Sequence, residues 1–109
     1  MSIEDSYQDR GIQRGNVLYL SAEVAAEYVR DCESENVAIL GIEGFLLRGD
    51  DLQARTDLIC DFSPRDSSLG WEEYRAQVNR AALTFLSGVS GSEGLVFEFE
   101  VLVPEEYKS

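Results

Sequence analysis

This chain has no histidine, and only two cysteines and two prolines in 109 residues. Without histidine it lacks the commonest acid–base catalyst and the commonest metal ligand. Its two thiols, Cys32 and Cys60, lie in separate apolar patterns. Without histidine or a second cysteine pair they do not complete a tetrahedral metal shell, so each reads as a small buried hydrophobe. The scarcity of proline excludes a stiff Pro-rich linker. No apolar run approaches the roughly 20 residues that cross a bilayer. The start, Met1 to Tyr7, has neither the basic nor the apolar region of a secretory leader, so a cytoplasmic location is expected.

Positive charge is also scarce. Nine Lys and Arg stand against 21 Asp and Glu, a net charge of −12. A field of that sign repels nucleic acid and anionic membrane, and it attracts and orients basic partners. Apolar residues make up 44% and charged residues 28%, which is globular rather than disordered usage. Motifs for catalysis or cofactors are missing as well. Gly41-Ile-Glu-Gly44 and Gly88-Val-Ser-Gly91 are not followed by the Lys-Ser/Thr pair of a phosphate loop. Gly49-Asp-Asp51 lacks the alternating ligands of a calcium loop. No Gly-x-Ser-x-Gly elbow surrounds the serines of 63–68, and no histidine is available to activate them. No catalytic, metal or cofactor-binding residue is therefore expected, and the composition favours a binding protein with a basic protein partner over an enzyme.

Patterning then gives the elements. Residues 1–15 are polar and aperiodic and read as a flexible or loosely docked arm. Residues 16–104 form one α+β domain, and 105–109 are a polar tail. Asn16–Leu20 is a short strand rich in branched and aromatic residues. Ser21 offers a helix N-cap, and Val24, Ala25, Tyr28, Val29 and Cys32 recur at helical spacing up to about Ser34–Asn36. Val37–Leu47 is a nearly continuous apolar strand interrupted by Gly41 and Gly44. Arg48–Asp51 signals a turn, and Thr56–Phe62 is a second strand reached through a longer loop. Trp71, Tyr74, Val78, Ala82, Phe85 and Leu86 form a second helical stripe ending near Gly88. Leu95–Val103 alternates strictly, as a half-buried strand does, until Pro104 stops it.

The order strand, helix, strand, strand, helix, strand predicts the split βαβ arrangement. This is a ferredoxin-like two-layer sandwich, with two helices on one face of a four-stranded antiparallel sheet. A meander of the last three strands is the alternative. Leu58, Cys60, Phe62, Leu95, Phe97 and Phe99 are expected to face the helices. Glu43, Asp57, Asp61, Glu98 and Glu100 are expected on the opposite face as a partner-binding surface for Lys and Arg. The bland reading of these carboxylates is a solvated face that keeps the sheet soluble. Trp71 is a candidate aromatic anchor for an interface, against a core role at the end of its stripe.

Leu18-Tyr-Leu-Ser21, Val37 to Phe45, Asp61-Phe-Ser63 and Leu95-Val-Phe-Glu-Phe99 resemble stretches of small acidic bacterial toxin-immunity proteins, over roughly residues 16–103. The resemblance implies a non-enzymatic inhibitor that neutralises a basic toxin such as a nuclease. That class spans unrelated folds, so it assigns no individual site residue here. The alternative is a self-associating α+β domain, a homodimer that binds a small ligand between its sheet and a partner chain. A small enzyme using carboxylates alone is a third reading.

Overall fold

Apolar residues fill both alternating sets of positions in 37–47, the mark of an inner strand with neighbours on both edges. In the computed structural model, which describes residues 3–63, 68–89 and 93–107, this segment is β3 (Ala38–Arg48), paired from Gly41 to Arg48 on one side and from Ala38 to Leu46 on the other. One neighbour is β4 (Asp51–Asp61) and the other is β5 (Leu95–Leu102). Outside β5 lies β2 (Val17–Ser21), joined by only two ladder pairs, Leu20 with Phe97 and Ser21 with Val96. A short β1 (Ile12–Arg14) pairs with β2 at the outer edge. The sheet is five-stranded and antiparallel throughout, in the order β1-β2-β5-β3-β4.

The expected ferredoxin-like, four-stranded sheet is therefore wrong, although the α+β class stands. The strand–helix–strand halves are present, but the long β3 and β5 occupy the middle of the sheet. β2 meets β5 through only two ladder pairs and has β1 rather than β4 on its other side. The additional strand β1, Ile-Gln-Arg, is too short to leave a sequence pattern. A 3-10 segment, Ile3–Arg10, precedes it. Its Tyr7 is buried between the layers' edges, meets Tyr28 edge-on at 5.4 Å and donates its hydroxyl to Asp31. Arg10 pairs with Glu27 at 2.6 Å. The stretch that composition reads as a flexible or loosely docked arm thus lies against the first helix.

That helix, α1 (Ala22–Ser34), starts as its sequence suggests, with Ser21 Oγ accepting from the Val24 N–H. It ends where Asn36 takes a left-handed φ of +65°, so that the Val37 N–H reaches back to the Cys32 carbonyl at 2.8 Å. The second helix, α2, spans Trp71–Val89. Val29 and Cys32 of α1, Ala82 and Leu86 of α2, and Leu20, Ile42 and Phe97 of the sheet form one buried cluster, so both helices cover the same sheet face. Leu58, Cys60, Phe62, Leu95 and Phe99 pack against or within it, as the alternation predicts. Cys32 and Cys60 are both free thiols, and burial pushes the Cys32 thiol up to about 12, which keeps it neutral at pH 7.

The β3–β4 hairpin is tighter than the sequence suggests. Arg48 pairs with Asp51, leaving Gly49 and Asp50 as the turn, and Gly49 has a φ of +60° that favours glycine. The extra length sits instead in a bulge. Glu43 pairs with Ile59 and the next residue, Gly44, with Arg55, so residues 56–58 stand outside the ladder. Leu58 turns in over Gly44, where a Cβ would come within 2.8 Å of the Leu58 Cβ.

A second, smaller cluster holds Ala38, Tyr74 and Val78, with Trp71 and Tyr107 packed on it. Tyr74 donates to the Phe62 carbonyl at 2.7 Å, and Tyr107 to the Leu69 carbonyl at 2.6 Å. The stacked pair Tyr74–Tyr107 thus ties together both ends of the segment between β4 and α2. Tyr107 is consequently docked, whereas composition places it in a polar tail. The Ser-rich stretch proposed and rejected as a nucleophile region falls partly outside the described residues. No described helix is long and apolar enough to cross a membrane.

Candidate functional site, an acidic cleft on the uncovered sheet face

Both helices cover one face of the sheet, which leaves the other without a layer of its own. Cross-strand register decides what this face carries. Glu43 of β3 stands directly opposite Glu98 of β5, and Gly41 stands between Asp61 of β4 and Glu100 of β5. Because Gly41 has no side chain, the surface sinks there into a cleft of about 330 Å³. Glu98 and Glu100 form one wall, and Ile59 and Asp61 form the other, with Glu43 at one end. Ile59 is the most exposed large hydrophobic among the described residues, at 51%.

The electrostatics of the cleft are those of like charges held together. Burial raises the Glu98 carboxyl above its ordinary range, and the Glu43 and then Glu100 carboxylates raise it further. Two carboxylates directly opposite across a ladder destabilise the sheet. Asp61 has a structural task as well, because its Oδ1 accepts from the Ser63 N–H at 3.0 Å and hydroxyl at 2.6 Å, which turns the chain out of β4. Among the described residues, no group of three or more acidic, cysteine or histidine side chains has the geometry to hold a metal ion.

An aromatic pair lies on the same face, outside the cleft itself. Tyr19 of β2 and Phe45 of β3 meet edge-on at 5.2 Å on this same face. Val96, the cross-strand partner of Phe45, is 7% exposed and belongs to neither helix-side cluster. Burial raises the Tyr19 hydroxyl, and the Glu98 and Glu43 carboxylates add to that rise, which places the ring next to the acidic pair. The face therefore runs from an aromatic patch, through Glu43 and Glu98, to the Gly41 hollow.

The structure gathers four of the six residues singled out from sequence: Glu43, Asp61, Glu98 and Glu100. Asp57 does not join them. It lies in the bulge, outside the ladder, and forms a bidentate pair with Arg55 at 3.0 and 2.8 Å. This pairing holds its carboxyl below the usual range. Trp71 also lies elsewhere. Its ring packs against Tyr74 and Tyr107 in the helix layer, and its Nε1 donates to Asn36 Oδ1 at 2.7 Å. Tyr19 and Phe45 were not among the site residues expected from sequence. The signal was the spacing of Glu43 and Phe45, two apart and so on one side of β3.

The Glu43–Glu98 opposition makes a stability prediction. A carboxyl raised in the folded state contributes stability below its unfolded pKa and loses that contribution as pH rises through the folded pKa. Glu98→Gln will therefore stabilise the protein at pH 7, by about 0.5 kcal/mol after solvent screening. The gain will vanish below about pH 4, where the wild-type carboxyl is protonated. Urea melts of both proteins at pH 4 and pH 7 measure it; equal or lower stability of the variant at pH 7 would contradict the strain.

No protein-family model matches this chain, and a search of curated proteins finds no significant sequence match.

Proposed function

We propose that this protein is a non-enzymatic inhibitor of the immunity type, which binds a basic protein toxin through the uncovered sheet face. The observation that supports this most is the meeting of Glu43, Glu98 and Glu100 around the Gly41 hollow, beside Tyr19 and Phe45. Like charges facing one another at close range cost stability in the free protein. A Lys or Arg placed between them converts that repulsion into attraction, so the energy is recovered on binding. Ile59 offers an apolar wall to the aliphatic stem of such a side chain. Tyr19 and Phe45 supply the aromatic anchors that hot spots favour. The net charge of −12 steers the encounter from a distance.

On this reading the partner is a basic protein such as a nuclease, the chain works in the cytoplasm, and the acidic face mimics the charge of the nucleic acid that the toxin would attack. The deciding experiment is affinity capture from the source organism's lysate at low and high salt, followed by an activity assay of the captured protein. A basic enzyme that is released by salt and inhibited by the added chain is the expected result. Capture that is indifferent to salt, or a captured enzyme left fully active, would overturn the reading.

A further inference from the structure

A second opening lies on the other side of the sheet, between the layers. Val101 of β5 and Val103 just beyond it lie beside Tyr28 and Cys32 on the helix side of the sheet, yet Val101 remains 38% exposed. The cause is visible in the topology. α2 packs along β3, whereas Tyr28 and Cys32 of α1, with Glu35 at its C-cap, leave a gap above the last residues of β5. The gap measures about 300 Å³. Tyr28, Cys32 and Val37 line its inner part, Val101 and Val103 its sheet side, and Ile3 the side of the N-terminal 3-10 segment. A volume of this size lies at the lower end of ligand pockets, which run from about 300 to 1,000 Å³.

The polar lining of this apolar groove is acidic. Glu4 and Glu35 are both exposed, and they reach it from different elements, the 3-10 segment and the C-terminal cap of α1. Neither carboxylate has an ion-pair partner among the described residues. Among the described residues, no basic side chain lines the groove. Apolar walls with carboxylates at the mouth select a molecule whose body is apolar and whose end is cationic. The same carboxylates and the negative field of the whole chain reject an apolar acid.

We infer that the groove between α1 and the end of β5 is a binding site for a small aliphatic primary amine, with its chain on Val37, Val101 and Tyr28 and its ammonium between Glu4 and Glu35. This site is independent of the acidic cleft on the opposite sheet face, and it stands or falls separately from the proposed inhibitor function.

Hexylamine, 1-hexanol and hexanoate, titrated at pH 7 against the isotopically labelled full chain and followed by amide NMR shifts, test it. Hexylamine is expected to shift the amides of Cys32, Val37 and Val101 and to bind about fivefold or more tightly than hexanol, the gain expected of two exposed carboxylate–ammonium contacts. Hexanoate is expected to leave those amides unmoved. The double variant Glu4→Gln/Glu35→Gln, which changes exposed side chains only, should bring hexylamine down to the affinity of hexanol. Val101→Trp, which fills the groove from a part-exposed position, should abolish both. Equal binding of amine and alcohol to the unaltered chain would overturn the assignment. So would amine shifts confined to Glu43, Glu98 and Glu100, or movement of the groove amides with protein concentration alone, which would mark contact with a second copy.

Discussion

Replacing Asn79 with leucine will lower the stability of this protein by about 3 kcal/mol. Asn79 is the one polar or charged residue that is buried among the described residues, at 2% exposure. Its Oδ1 accepts from the Ile39 N–H at 2.8 Å, and its Nδ2 donates to the Val37 carbonyl at 3.0 Å and to Glu33 Oε1 at 2.7 Å. Glu33 in turn accepts from Arg75 Nε at 3.2 Å. One amide therefore joins α2 to the end of α1 and to the start of β3, where the β3–β5 register shifts between Ile39 and Gly41. That irregularity leaves backbone groups in need of a partner, and the side chain of Asn79 provides it. Leucine preserves the size of the side chain but orphans a donor and an acceptor inside the protein, each costing about 1–3 kcal/mol. For a domain that is stable by only about 5–15 kcal/mol, this is a large share. Thermal and urea melts of the two proteins measure the loss, which at this chain length corresponds to a drop in Tm of roughly 10 °C or more. A loss under about 1 kcal/mol would mean that water replaces the amide and that the bridge is dispensable.

The second large effect concerns binding. With the captured basic partner, Glu43→Lys/Glu98→Lys will slow association by more than about tenfold at low salt and will flatten its salt dependence. Steering by a charged surface raises association rates by about 10 to 1,000-fold, and exposed charges are screened beyond about 8–10 Å at ordinary ionic strength. Reversing two of the cleft's carboxylates removes the local focus of that field. It also places cations where the partner's Lys or Arg would lie, so dissociation should quicken as well. The control is Glu72→Lys/Glu73→Lys, which changes the net charge by the same amount on exposed positions in the first turn of α2. It should alter the rate by less than about threefold. Stopped-flow association across a salt series separates the two. An equal slowing in both variants would show that net charge alone matters and that the sheet face is not the docking surface.

Asp57 and Glu98 show how the site departs from its sequence pattern. Both alternate with apolar residues in strand-like runs, and period two places each on the polar side. For Glu98 this inference is sufficient, because β5 is paired regularly around it and the register with β3 sets it against Glu43. For Asp57 it fails, because residues 56–58 leave the ladder and the side chain pairs with Arg55 instead. The bulge follows from Gly44, whose bare backbone admits Leu58, and that is a relation between two strands rather than a pattern within either. Trp71 shows the same limit. Its place in an apolar stripe is compatible with an anchor or with core, and the choice fell to Asn36, Tyr74 and Tyr107, which are distant in the chain.

By itself the sequence determined both helices, the apolar strands and the sign of the chain's field. Capping at Ser21, the 3.6-residue stripes of both helices and the alternation of β5 are properties of neighbouring residues, and they survive any arrangement of the rest. Only the tertiary structure decided which strands are central, where the N-terminal segment docks, and which carboxylates face one another. Those outcomes depend on strand register, on the irregularities in the two β3 ladders and on contacts between residues far apart in the chain. β5 lies between β2 and β3, and its register with β3 creates the Glu43–Glu98 opposition. The acidic residues were legible one by one. Their assembly into a cleft, floored by Gly41 and bordered by Tyr19 and Phe45, was a consequence of register.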